Sequence, residues 1–156
     1  MQVEYINPFI TSAIEIFEKV ANIELKKSNL TLKKNTTPSN EISIVIGVTG
    51  AFEGQVVYSF KMHTAERVVS CMMPNASAEK QKLYLESALS SMANMITGRA
   101  TILLAGKEKK IYITPPYVVL GTDSKDVKFI EFPTICIEFT SRFGTLEINV
   151  AIKPGE

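Results

Sequence analysis

The sequence predicts an α+β domain of two pseudo-symmetric halves, each a helix followed by three strands, with long helices packed on an antiparallel sheet. Three observations carry this. Apolar residues recur at helical spacing in two long segments, 7–22 and 79–105. The segments that follow each of them alternate apolar and polar residues, as strands do. Connections of hairpin length favour antiparallel neighbours over parallel ones. With 156 residues, the chain 1–156 is long enough for a single domain with a sizeable core.

The elements follow in order. Asn7-Pro8 opens the first helix, with Asn as the N-cap and Pro at the first helical position, where its missing N–H costs nothing. Phe9, Ile10, Ala13, Ile14, Phe17 and Val20 give that helix one apolar face, and it should end near Asn22. Partial alternation predicts a strand over 23–33, then a polar loop over 34–40. A strong strand at 41–48 turns at Gly50 and Gly54 and returns as a strand to Phe60. A short helix over 64–73 is closed by Pro74. The segment 79–105 is helical again, with Ala88, Met92, Met95, Ile96 and Leu103 supplying apolar surface.

The remaining segments are strands. The one at 109–121 is interrupted by Pro115-Pro116, a pair that suits a sheet edge. Residues 127–141 alternate, and so do 144–153. In the latter, Leu146, Ile148, Val150 and Ile152 point one way and Glu147, Asn149 and Lys153 the other, predicting one buried and one wet face. The two halves share a layout but no residue-level repeat.

Composition excludes several functions. The formal net charge is +1 and the basic residues are scattered, so no strong field attracts nucleic acid or an anionic membrane. The densest cluster, Lys107 to Lys110, reads as a solvated turn. Cys71 and Cys136 lie in apolar settings without a CxxC partner or a nearby His, and His63 stands alone. A zinc site needs three or four such ligands, so no metal site is expected and both thiols read as buried and free. The N-terminus lacks the basic and apolar regions of a signal peptide, and no apolar run approaches the roughly 20 residues of a membrane span. The expectation is a soluble cytoplasmic protein.

One stripe stands out on the second long helix. Ser87, Ser91, Asn94 and Gly98 are spaced four, three and four apart. At roughly 100° per residue they share one narrow strip of low side chains, from which the Asn94 amide projects. Spacing alone allows a plainer account, in which Asn94 is solvated, the serines bond back to their own helix and the small residues admit a close neighbour.

The run "SALSSMANMITG" over 87–98, followed by "ITPPYVVLG" over 113–121, resembles the CheX-like branch of the CheC/CheX/FliY family. These are bacterial phosphatases for phosphorylated response regulators such as CheY. The upstream "VIGVTGAFEGQVVYSF" and "ERVVSCMM" are similar as well, so the resemblance runs from the first strand pair to Gly121. It implies a CheC/CheX-like fold and a phosphorylated CheY-type partner that brings its own Mg2+ and lysine, with no cofactor in this chain. It also implies a homodimer formed through the sheet. Ser87 matches the opening position of the family motif, Asn94 its Asn, and Pro115 or Pro116 its trailing proline. The motif Glu is replaced by Ser91. The implied catalytic positions are therefore Asn94, which orients water, and Ser91, which occupies the Glu position; Ser87, Ser90 and Gly98 are the implied partner-binding residues.

The chemistry is consistent with those residue types. Phosphoryl transfer to water needs mainly positioning and charge stabilisation. A carboxamide has an acceptor, two donors and no charge to repel the phosphoryl group. Ser91 is short and neutral and cannot make a charge-assisted contact with a lysine. Glu86 does not replace it, since it lies roughly 140° round the helix from Ser91. Glu15 and Glu18, on the first helix, have no Asn three residues on. The implied activity is hydrolysis of a protein aspartyl phosphate, slowed by the missing Glu. The alternative is a non-catalytic module that docks on a response regulator or a flagellar switch component.

Overall fold

Apolar alternation builds most of the sheet, and two amphipathic helices cover one side of it. The computed structural model describes residues 3–34, 40–121 and 133–155. Residues 35–39 of the loop expected over 34–40 and the first part of the strand expected at 127–141 lie outside the described residues. After a 3-10 turn at Val3–Tyr5 come helix α1 (Asn7–Ala21) and strands β1 (Lys26–Lys33), β2 (Ile42–Gly50) and β3 (Phe52–Phe60). Helices α2 (Met62–Met72), α3 (Ala78–Leu83) and α4 (Leu85–Ala105) follow. The chain ends with β4 (Ile111–Ile113), β5 (Tyr117–Leu120), β6 (Thr134–Ser141) and β7 (Gly144–Pro154).

The strands form one sheet in the order β1-β6-β7-β3-β2-β4, with β5 also paired to β2. Every pairing is antiparallel. The hairpins β2–β3 and β6–β7 stand side by side at the centre, where β3 meets β7. The first strand of each half crosses to the other half: β1 joins β6, while β4 and β5 join β2. The pseudo-symmetry expected from the layout is therefore a strand exchange about the β3–β7 junction. Gly54 is required there, because a Cβ at that position would fall 1.8 Å from the Ala151 carbonyl oxygen.

The core lies between the sheet and the helices. Ile44, Ile46, Val56, Tyr58, Ile137 and Ile148 face it from the strands; Phe9, Phe17, Met92 and Ile96 face it from α1 and α4. Together with the other residues of that cluster they supply most of the hydrophobic stabilisation.

Several expectations are corrected in detail. Asn7 is not the cap of α1; the helix begins with it, and Ile6 precedes it without a side-chain cap. Packing of the fully buried Ile6 fixes this start, in place of a capping hydrogen bond. The other end agrees with the sequence, since Asn22 takes the left-handed conformation, φ 53°, which Asn tolerates better than most residues. The strand expected from residue 23 begins at Lys26, after the buried Ile23 and Leu25.

The second sheet face is not wet throughout. Asn149 is 0% exposed, as are Ser43 and Ser59, beside a small cluster of Val45, Val57 and Val119. These polar groups are satisfied locally: the Ser43 and Ser59 hydroxyls pair at 3.1 Å, and Asn149 accepts from Lys33 and donates to the Val57 carbonyl. Finally, the helix expected over 79–105 is two helices meeting at Tyr84, whose ψ of 10° lies outside the α-region. Three hydrogen bonds on the Gln81 carboxamide, with Ser70, Met73 and Ala76, tie α3 to the end of α2. This docking sets α3 apart from α4 and leaves no break in the apolar spacing.

Candidate functional site

Helix α4 lies over β2, β4 and β5 and beside α1 and α2. Its buried side consists of Leu89, Met92, Ala93, Ile96, Thr97, Ala100 and Thr101. The opposite side carries the stripe: Ser87, Ser91 and Asn94 are exposed, and Ser90 and Gly98 are half-buried. The structure thus brings the expected site residues onto one outward face.

The buried apolar side chains of α4 set which face turns outward, and a hydrogen bond in the core adds to them. Thr97 donates its hydroxyl to the Ala93 carbonyl at 2.8 Å. A hydroxyl has one proton, so the 2.5 Å contact with Tyr58 must be donated by the phenol. Both residues are fully buried. Burial pushes the Tyr58 phenol well above its ordinary pKa, with the Thr97 bond opposing this in part. This pair anchors α4 to β3 at the residue just before Gly98. The signal for it in the sequence was a threonine on an apolar helix face, too common to single out.

The stripe residues have different environments. Ser87 donates to the Tyr84 carbonyl at 3.1 Å, as a serine in a first helical turn often does, so its proton is used within its own helix. Among the described residues, the Asn94 carboxamide and the Ser90 and Ser91 hydroxyls have no partner. No charged residue lies on α4 between Ser87 and Gly98. The carboxylate nearest in kind is Glu15 on α1, but it is bound to Arg99, with Arg99 Nε donating to Glu15 Oε2 at 2.7 Å. Sequence reading missed this pair because its members stand far apart in the chain. Glu86 turns into a different feature, a groove of about 640 Å³ between α2, α3 and the start of α4, where Glu66 and Lys82 also stand.

The proline pair separates β4 from β5 along the β2 edge. Between the two strands Thr114 pairs with Gly47, donating its N–H to the Gly47 carbonyl and accepting the Gly47 N–H on its hydroxyl. The two prolines therefore interrupt the ladder without leaving Gly47 unpaired. They shape the sheet under α4 and are not drawn into the stripe by any hydrogen bond.

No group of three or more His, Cys, Asp or Glu able to hold a metal occurs among the described residues. His63 is exposed on α2, eight residues from Cys71, which puts about 12 Å of helix between them. Cys71 is half-exposed, not buried as expected, and the Arg142 guanidinium lies 3.7 Å from its sulfur. Cys136 is buried. No helix among the described residues is long and apolar enough to cross a membrane.

A seven-stranded antiparallel sheet with exchanged first strands, covered by two long helices, is the fold of the CheC/CheX/FliY proteins. Residues 42–140 match the family described as chemotaxis phosphatase CheX. The CheY-P phosphatase CheX of Thermotoga maritima is 33% identical over 155 residues, 99% of each chain. Chemotaxis protein CheX from Vibrio vulnificus superposes with a TM-score of 0.78 at 26% identity, covering 97% of this chain and 100% of that one. CheX in the CheX–CheY–BeF3–Mg2+ complex of Borrelia burgdorferi has the same fold, with a TM-score of 0.75 at 22% identity, covering 97% and 99%. The chain belongs to the CheX family.

Proposed function

We propose that this protein binds a phosphorylated CheY-type response regulator and promotes hydrolysis of its aspartyl phosphate. The observation that carries the reading is the outward, unpartnered carboxamide of Asn94 on an uncharged stripe. The Asn94 side chain enters the partner's phosphorylation site. Its carbonyl oxygen accepts a hydrogen bond from a water molecule and holds it in line with the phosphorus–oxygen bond that breaks. As the water oxygen bonds to phosphorus, the bond to the aspartate oxygen breaks; the aspartate leaves as its carboxylate and the water's proton departs on the released phosphate, so no group on this chain takes it. The charge on the phosphoryl oxygens is balanced by the partner's own Mg2+ and lysine, so this chain needs no metal. Ser87, Ser90 and Gly98 leave room for the partner to approach, and Ser91 places a short neutral side chain where the family motif has a carboxylate.

The test is phosphate release from a phosphorylated CheY. Acceleration by the wild-type protein and its loss in Asn94→Ala support the reading; an unchanged decay at large protein excess rejects it. The missing Glu favours a second reading, a binding module without turnover. That reading predicts a stable complex with CheY and equal decay rates for wild type, Asn94→Ala and Ser91→Glu.

The proposal includes a homodimer. Strand β1 is paired on one side only among the described strands, and Leu30 and Leu32 are exposed on it. An unpaired edge with exposed leucines is suited to a second copy. Light scattering should give twice the chain mass, and Leu32→Lys should shift the equilibrium toward monomer.

A further inference from the structure

Gly98 sits in the interior of α4, where glycine weakens a helix relative to alanine. Nothing in the chain's own fold asks for it: a Cβ at Gly98 would meet no atom within 4 Å. The gap it leaves faces outward. One turn further, on the same side of the helix, Ile102 is 73% exposed. Between them lies Arg99, the only basic residue of α4. Glu15 holds Arg99 through Nε, so both terminal nitrogens stay available as donors.

We infer that the partner covers the C-terminal half of α4, closing against Gly98, burying Ile102 and meeting Arg99 with an acidic group. The inference rests on the proposed function, since the partner is the phosphorylated regulator. Its charge fits. Acidic groups around the rim of a phosphorylated, cation-binding site would meet Arg99, which keeps its two terminal nitrogens as donors although Glu15 already offsets its charge. At the other end of the helix two carboxylates, Glu66 and Glu86, stand against one lysine, Lys82, in the groove, which leaves it more acidic than the Arg99 end. Ile102 would act as an apolar anchor, Gly98 as the point of closest approach and Arg99 as a rim charge that speeds association.

The experiment is steady-state hydrolysis of phosphorylated CheY, with affinity for CheY activated by beryllofluoride and Mg2+ as a second readout. Ile102→Ser should raise KM about tenfold with kcat unchanged, the loss of one interface anchor. Gly98→Ala should raise the melting temperature and weaken binding, opposite signs that a purely structural glycine would not give. Arg99→Gln should flatten the dependence of association on salt. Wild-type KM and affinity in both Ile102→Ser and Gly98→Ala would overturn the inference while leaving the proposed function intact. A wild-type protein that neither binds nor dephosphorylates CheY would overturn both.

Discussion

Helices α1 and α4 carry stripes of identical spacing and opposite character. On α1 the positions are Thr11, Glu15, Glu18 and Asn22, all exposed; on α4 they are Ser87, Ser91, Asn94 and Gly98. Glu15 stands where α4 has Ser91, and Glu18 where it has Asn94. At the two central positions α1 thus has two carboxylates and no amide, and α4 has the amide and no carboxylate. Of the two α1 carboxylates, Glu15 is also engaged, since Arg99 of α4 holds it. The layout of the halves is symmetric while their chemistry is not. An anionic Glu18 would repel a phosphoryl group where a neutral carboxamide accepts its attacking water.

The α4 stripe depends most on Asn94. Asn94→Ala should lower phosphate release about 100-fold, the scale of losing a positioning group at a reaction centre. Ser91→Glu should act in the opposite direction. It restores one charge-assisted contact to the amide-bearing stripe, and the rate should rise roughly tenfold. In the Asn94→Ala background, Glu18→Asn should restore no release, because the Glu15 it would complete remains bound to Arg99. Recovery of release in that double variant would show that the two stripes are functionally interchangeable.

The next effects concern what helps to hold the α4 stripe outward. Thr97→Val removes the acceptor of a fully buried phenol and should cost about 1–3 kcal/mol of stability. Tyr58→Phe leaves Thr97 bonded to Ala93 and should cost about 1 kcal/mol or less. Denaturant midpoints of the two variants check this order.

The smallest effect is one of pH. Burial, reinforced by Glu147, pushes the Cys136 thiol up to about 11 from an ordinary 9.0. The folded protein therefore keeps a proton that the unfolded chain releases. Stability should fall as pH rises from about 9 toward about 11, and Cys136→Ala should flatten that part of the curve. An unchanged slope in the variant would assign the loss to other groups.

Much of this was legible in local spacing. The apolar face of α1, the hairpin strands β2, β3, β6 and β7, and the stripe from Ser87 to Gly98 all follow from periods of 3.6 and 2, which depend only on neighbouring residues. The split at Tyr84 was not legible, because it comes from Gln81 bonding to α2 and leaves the apolar period unbroken. The burial of Asn149 was not legible either. A polar residue on an alternating strand reads as solvent-facing unless its partners, here Lys33 and the Val57 carbonyl, are known.

The sequence alone determined the order of helices and strands, the face that each strand buries, and the small neutral strip that brings Asn94 and Ser91 together on one helix. The tertiary structure decided that β1 joins β6 while β4 and β5 join β2, that Tyr58 and Thr97 help to hold Asn94 outward, and that Glu15 answers Arg99. The physical reason is range. Backbone periodicity is set by adjacent residues, whereas strand exchange and buried hydrogen bonds join groups that only the packed core brings within reach of one another.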